Sequence, residues 1–222
     1  MRLQPGIKKI IPEIPLDANI LDLGCGNGEL AQTLLHQGFH GNYVGLDFSS
    51  ELLNIAHKRL NREQTSSAGS ITFLQRELTS PGWGKSLPLQ DFDLILAFAI
   101  LHHLPGFNLR CQVLVEAGYL LNKNRNPLSG NFIHSEWQFL NSPKLRGRIQ
   151  PWELIELKQT DVDEGDYLMD WRQGGRGLRY VHHFNEEELK TLATTTGFHI
   201  KNTYFSDGEG GRLGIYQVWE GV

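Results

Sequence analysis

Residues Ile20 to Glu29 read ILDLGCGNGE. A short apolar run enters three glycines at alternate positions, Gly24, Gly26 and Gly28, and a helical pattern starts at Glu29. Glycines at such a junction let the backbone turn sharply and come close to a ligand. The helix start that follows offers free amide donors and a partial positive charge. A nicotinamide-type fingerprint would need its third glycine at position 29, where this chain has glutamate. Asp22, just before the glycines, would repel a pyrophosphate and suits a cationic amino-acid ligand. The stretch therefore predicts a strand, a ligand-binding turn and a helix.

The same alternation continues outward. Glu29 to Gln37 carries Leu30, Ala31, Leu34 and Leu35 at helical spacing, and Gly38 stops it. Tyr43 to Asp47 (YVGLD) is a second strand, with Asp47 at its end, about 20 residues on from the glycine turn, where an acid bonds ribose hydroxyls in this fold class. Phe48 beside it offers a face for a purine. Ser49 or Ser50 caps the next helix, with Leu52, Ile55, Ala56 and Leu60 as its apolar face. Ile71 to Leu78, Phe92 to Ala99 and Asn131 to Trp137 are three further strands, and Asn108 to Leu121 is helical. Strands and helices alternating in this way give βαβ units and a mostly parallel sheet. Their continuous apolar character fits strands covered on both faces.

The rhythm breaks at residues 138–184, read as an insertion without regular period that covers the ends of the sheet. It holds seven basic and seven acidic residues, including KLRGR at Lys144 to Arg148 and RQGGRGLR at Arg172 to Arg179, so it is no simple cationic arm. Its aromatics argue against disorder. Asn185 with Glu188 has the spacing of a capping box. Phe198 to Phe205 and Leu213 to Trp219 then form a hairpin across Asp207 to Gly211, so these two strands run antiparallel.

At 222 residues the chain holds one domain, 1–222, plus that elaboration. Two cysteines, Cys25 and Cys111, exclude a disulfide framework and multi-cysteine zinc patterns. His102 and His103 have no carboxylate or cysteine set at ligand spacing, so no metal is expected. The net charge of -4 excludes nucleic-acid binding by bulk positive charge. The first residues carry two lysines and two prolines where a signal peptide needs an apolar core, and no apolar run approaches the ~20 residues of a membrane span. A cytoplasmic protein is the resulting expectation.

These motifs together resemble class I S-adenosylmethionine-dependent methyltransferases. The resemblance covers most of residues 15 to 140 and rests on Asp22 to Gly28, Asp47, Phe73 to Leu78 (FLQREL) and Phe92 to His103 (FDLILAFAILHH). It implies a Rossmann-like α/β fold whose seven-stranded, mostly parallel sheet has an antiparallel last strand. It implies S-adenosylmethionine as cofactor, held by Asp22, Gly24, Cys25, Gly26, Asn27 and Gly28 on one side. Asp47, Phe48, Glu77, Leu78, Ala97 and His102 would complete that site, with Glu77 near the adenine amine.

The later pieces are similar to a narrower group, the methyltransferases of carboxymethyluridine at the tRNA wobble position. They are ILHHLPGFNLR (Ile100 to Arg110), SEWQ (Ser135 to Gln138), GDYLMDWR (Gly165 to Arg172) and RYVHHF (Arg179 to Phe184). The resemblance implies a tRNA modification enzyme and allows a small activating protein partner. His103, Arg179, Tyr180 and His182 are the candidate catalytic residues. A carboxylate acceptor is already ionised near neutral pH and needs no general base. Arg179 suits a two-pronged contact with a carboxylate or phosphate, and Tyr180 and Trp137 suit stacking on a base. The same arginine and tyrosine could instead pin the insertion to the sheet. Two other functions stay open on the sequence: a small-molecule O- or carboxyl-methyltransferase, and a non-catalytic cofactor-binding subunit.

Overall fold

Side chains alternate across a strand, so a strand covered on both faces feeds two cores. Leu21 and Leu23 enter one core while Ile20 enters the other. The computed structural model describes residues 3–61, 69–121, 130–172 and 177–221. In chain order its elements are α1 (Pro5–Ile10), β1 (Asn19–Leu23), α2 (Glu29–His36), β2 (Asn42–Asp47), α3 (Ser50–Leu60), β3 (Ile71–Gln75), β4 (Leu94–Phe98) and α4 (Phe107–Leu120). There follow β5 (Asn131–Trp137), α5 (Pro143–Arg146), β6 (Ile149–Gln150), β7 (Asp166–Trp171), β8 (Gly177–His182), α6 (Glu186–Thr195), β9 (Phe198–Ser206) and β10 (Gly214–Gly221).

Seven strands form one sheet in the order β3-β2-β1-β4-β5-β10-β9. The pairs from β3 to β5 are parallel, and β10 runs antiparallel to both β5 and β9. This is the Rossmann-like sheet with an antiparallel last strand that the sequence implied. Val113, Leu114 and Ala117 of α4 pack with Leu189 and Leu192 of α6 in one core. Ile7 and Ile10 of α1, Leu30 and Leu34 of α2 and Leu53 and Ala56 of α3 belong to the other. Each fully buried aliphatic side chain in these layers contributes about 1.5–3 kcal/mol.

Several readings need correction. The third strand ends at Gln75 rather than Leu78, and the fourth runs only from Leu94 to Phe98. On α3 the buried positions are Leu53 and Ala56, whereas Leu52 and Ile55 are 38% and 47% exposed, so the apolar face is turned from the one expected. Helix α1 went unread although Ile7, Ile10, Ile11 and Ile14 have helical spacing and are all buried. Residues 138–184 are not without regular structure. They hold α5 and a second, antiparallel sheet in the order β6-β7-β8. β6 is two residues long, and neither β7 nor β8 buries alternate residues along its length, so no period shows in the sequence. Arg176 and its neighbours at 173–176, part of the second basic run, lie outside the described residues.

Candidate active site

The glycine turn sits at the end of β1 and is fixed from β2. The amides of Gly24 and Cys25 donate to the Leu46 carbonyl at 2.8 and 2.9 Å. Gly45 on β2 makes the room, since a Cβ there would stand 2.8 Å from Cys25 Sγ. Gly24 has φ +74° and lies against Ile100, whose Cδ1 would be 2.0 Å from an added Cβ. That contact brings the segment after β4 against the turn. Gly28 opens α2 in the left-handed region with no side-chain cap, leaving the first helix amides for a ligand.

Two carboxylates flank the turn. Asp47 accepts the Gly26 amide on Oδ2 and the Ser49 amide on Oδ1, both at 2.9 Å, and so ties β2, the turn and the start of α3 together. Asp22 is buried and accepts the Tyr43 hydroxyl. Burial pushes its carboxyl up to about 7; the Tyr43 bond opposes this and the Asp47 charge adds to it. Burial and the same two acids also push the Cys25 thiol up. A Cβ on Gly26 would meet nothing within 4 Å. Open space at the turn, uncapped amides and two acids together fit a ligand with a cationic amino-acid end and a ribose. Phe48 beside Asp47 is 71% exposed. Glu77 and Leu78 lie beyond the end of β3; Glu77 is exposed and accepts the Thr79 hydroxyl at 2.9 Å. Ala97 is fully buried in β4, and Asn27 is half-buried in the turn.

His102 follows β4 and is nearly fully buried. Its backbone amide and its Nδ1 both donate to Glu136 Oε2, at 2.9 and 2.7 Å. His134 Nδ1 donates to the other oxygen of the same carboxylate at 2.9 Å. Burial alone would raise the Glu136 carboxyl, but the two histidine hydrogen bonds hold it below the usual range. Glu136 thereby fixes the exit of β4 from within β5.

Arg179 on β8 faces this exit. Its guanidinium stacks on Trp171 at 4.6 Å and donates to His103 Nε2. His103 Nδ1 donates to the Tyr180 carbonyl at 3.4 Å. Both ring nitrogens are therefore engaged. Burial, with His102 and Arg179 beside it, brings the His103 imidazole down to about 2, so it is neutral. Tyr180 and His182 lie on the opposite face of β8. The Tyr180 hydroxyl donates to Asp166 at 2.6 Å and accepts from Arg110 Nη2 at 2.8 Å. His182 bonds Asp166 at 2.6 Å and Glu188 at 2.7 Å. Burial works against its charge, but those two carboxylates win and raise the imidazole. Glu188 reaches His182 rather than returning to the Asn185 cap, although Asn185 does accept the Glu188 amide.

The structure thus groups Asp22, the glycine turn and Asp47 on one side and His103 and Arg179 on the other, with Ile100 to His102 between them. Three residues went unassigned in the sequence, Arg110, Glu136 and Asp166, and a fourth, Glu188, was read only as part of a capping box. Each partners a histidine or tyrosine that had been singled out. A buried acid or arginine carries no local pattern, since its partner lies 14 to 78 residues away in most of these bonds.

Residues 21–124 match the family model described as a methyltransferase domain. A tRNA (carboxymethyluridine(34)-5-O)-methyltransferase of Schizosaccharomyces pombe is 25% identical over 205 residues, 87% of this chain and 78% of that one. A ubiquinone biosynthesis O-methyltransferase of Acinetobacter baylyi is 28% identical over 133 residues, 56% of this chain and 52% of that one. The chain thus spans about half the length of that relative. A SAM-dependent methyltransferase of Methanosarcina mazei superposes with a TM-score of 0.72 at 23% identity, covering 100% of this chain and 99% of that chain. These findings support an S-adenosylmethionine-dependent methyltransferase. No described helix is long and apolar enough to cross a membrane.

Proposed function

We propose, with the S-adenosylmethionine-dependent methyltransferase domain as premise, that the chain methylates the carboxylate of carboxymethyluridine in tRNA. One observation carries the choice of a carboxylate. The three candidate proton acceptors singled out beside Arg179, namely His103, Tyr180 and His182, are already engaged. His103 is neutral with both nitrogens bonded, and His182 is clamped between two carboxylates. Burial and the Asp166 bond push the Tyr180 hydroxyl up, away from ionisation. A hydroxyl or amine acceptor would require a base here, whereas an ionised carboxylate does not.

S-adenosylmethionine, when bound, supplies an electrophilic methyl group on a sulfonium. Asp22 would hold its amino group, the turn from Gly24 to Gly28 its carboxylate, and Asp47 its ribose. Phe48, with Glu77 and Leu78, would border the adenine. Ala97 and His102 would close the floor at the end of β4. Arg179 orients the acceptor carboxylate by a two-pronged contact, and its stack on Trp171 limits its freedom. Alignment of this kind is worth up to ~7–11 kcal/mol in an in-line transfer. His103, Tyr180 and His182 hold Arg179 in place and move no proton. The segment 138–184 serves as the cover through which the acceptor enters. An activating protein partner is not part of this reading. The name of the Acinetobacter baylyi relative favours a second reading, a small-molecule O-methyltransferase.

The test is methyl transfer to two matched tRNAs, one with and one without the wobble carboxymethyl group. Transfer to the first alone is the expected result. Equal labelling of both, or of neither while a small phenol or acid is labelled, would overturn the proposal.

A further inference from the structure

We propose that Arg110 is a positioning residue that fixes both walls of the acceptor site, acting through Leu104 and Tyr180. The proposal rests on the reading of Arg179 as the acceptor's anion partner.

Arg110 lies on α4 and its side chain is 1% exposed. An apolar side chain would fill the same space without the desolvation penalty of a buried charge. What the guanidinium adds is direction, because its donors form a rigid planar fork. Nε donates to the Leu104 carbonyl at 2.9 Å, at the end of the segment that bears His103. Nη2 donates to the Tyr180 hydroxyl at 2.8 Å, on the strand that bears Arg179. The fork lies 4.9 Å over the Phe184 ring, and Asp166 and Glu188 balance its charge at 3.7 and 3.4 Å.

Alternation along β8 converts this anchor into an orientation. With Tyr180 held on the α4 side, Arg179 must project from the other face. There it meets Trp171 and His103, and His103 in turn donates to the Tyr180 carbonyl. One arginine therefore sets the strand that carries Arg179 and the loop that carries its partner.

The full chain is tested as Tyr180→Phe and Arg110→Lys. The first removes the hydroxyl link and keeps the ring, so it remains informative if the second fails to fold. Three quantities are read: cofactor affinity, the NMR signal of Arg179 Nε–H, and KM and kcat on tRNA carrying wobble carboxymethyluridine. Cofactor affinity should stay unchanged. The Arg179 signal should lose the ring-current displacement that Trp171 imposes. Acceptor kcat/KM should fall about ten- to a hundredfold, mainly through KM, the scale expected for a misplaced binding group. An unmoved Arg179 signal with unchanged KM in Tyr180→Phe would overturn the proposal. If the wild type does not methylate this tRNA, the proposed substrate fails. The Arg179 signal alone then decides: displaced in Tyr180→Phe it supports the positioning role, and unmoved it overturns it.

Discussion

Replacing Asp22 by asparagine separates what this carboxyl does for stability from what it does for the cofactor. The side chain is 4% exposed and its carboxyl is raised from the ordinary 3.8 to about 7, chiefly by burial. The folded protein therefore keeps a proton that the unfolded chain gives up between those two values. The stability of the ligand-free protein must fall as pH rises from about 4 to about 7. Across that window the loss amounts to about 4 kcal/mol. Asparagine never ionises, and its amide oxygen can still accept the Tyr43 hydroxyl. Asp22→Asn should match wild type near pH 4 and exceed it above pH 7, by up to about 4 kcal/mol. Denaturant unfolding followed by tryptophan fluorescence across this range measures both curves. The same variant should bind S-adenosylmethionine about ten- to a hundredfold more weakly, since it lacks the anion proposed to face the ligand's amino group. A variant no more stable than wild type above pH 7, with unchanged cofactor affinity, would refute the reasoning.

Other perturbations follow from single contacts. Asp47→Ala removes the acceptor of the Gly26 and Ser49 amides; it should lower stability by about 2–3 kcal/mol in denaturant unfolding and strongly weaken cofactor binding by calorimetry. Gly28→Ala would put a Cβ 2.9 Å from Ala56 Cβ at φ +73°, so its melting temperature should drop, reflecting about 1–2 kcal/mol of backbone strain before any clash. Arg179→Ala should leave cofactor affinity unchanged and raise the acceptor KM, whereas equal damage to both would place Arg179 in the cofactor site instead.

The sheet was legible because its signals are local. Ile20 to Glu29 contains its own strand, turn and helix start, and the strand expected over Asn131 to Trp137 is reproduced residue for residue. Asp47 was readable for the same reason, as a strand end, and so was a cap at Ser49 or Ser50, of which the structure uses Ser49. The surroundings of Arg179 were less legible because their contacts are long-range. Nothing near Arg110 in sequence announces that it meets Tyr180, 70 residues on. The two faces of β8 also separate roles that sequence proximity had merged. Arg179 faces Trp171, while Tyr180 and His182 face α4 and α6. The α3 face was misread because Leu52 and Ile55 are as apolar as Leu53 yet remain exposed, and periodicity cannot tell a buried leucine from its exposed neighbour.

The central claim is the acceptor, and one labelling experiment addresses it most directly. Methyl-labelled S-adenosylmethionine is incubated with the protein and a cell extract whose tRNA retains unmethylated carboxymethyluridine, and RNA, protein and small molecules are then separated. The expected result is label in the tRNA fraction that nuclease releases and mild alkali removes as an ester. Label confined to small molecules would contradict it.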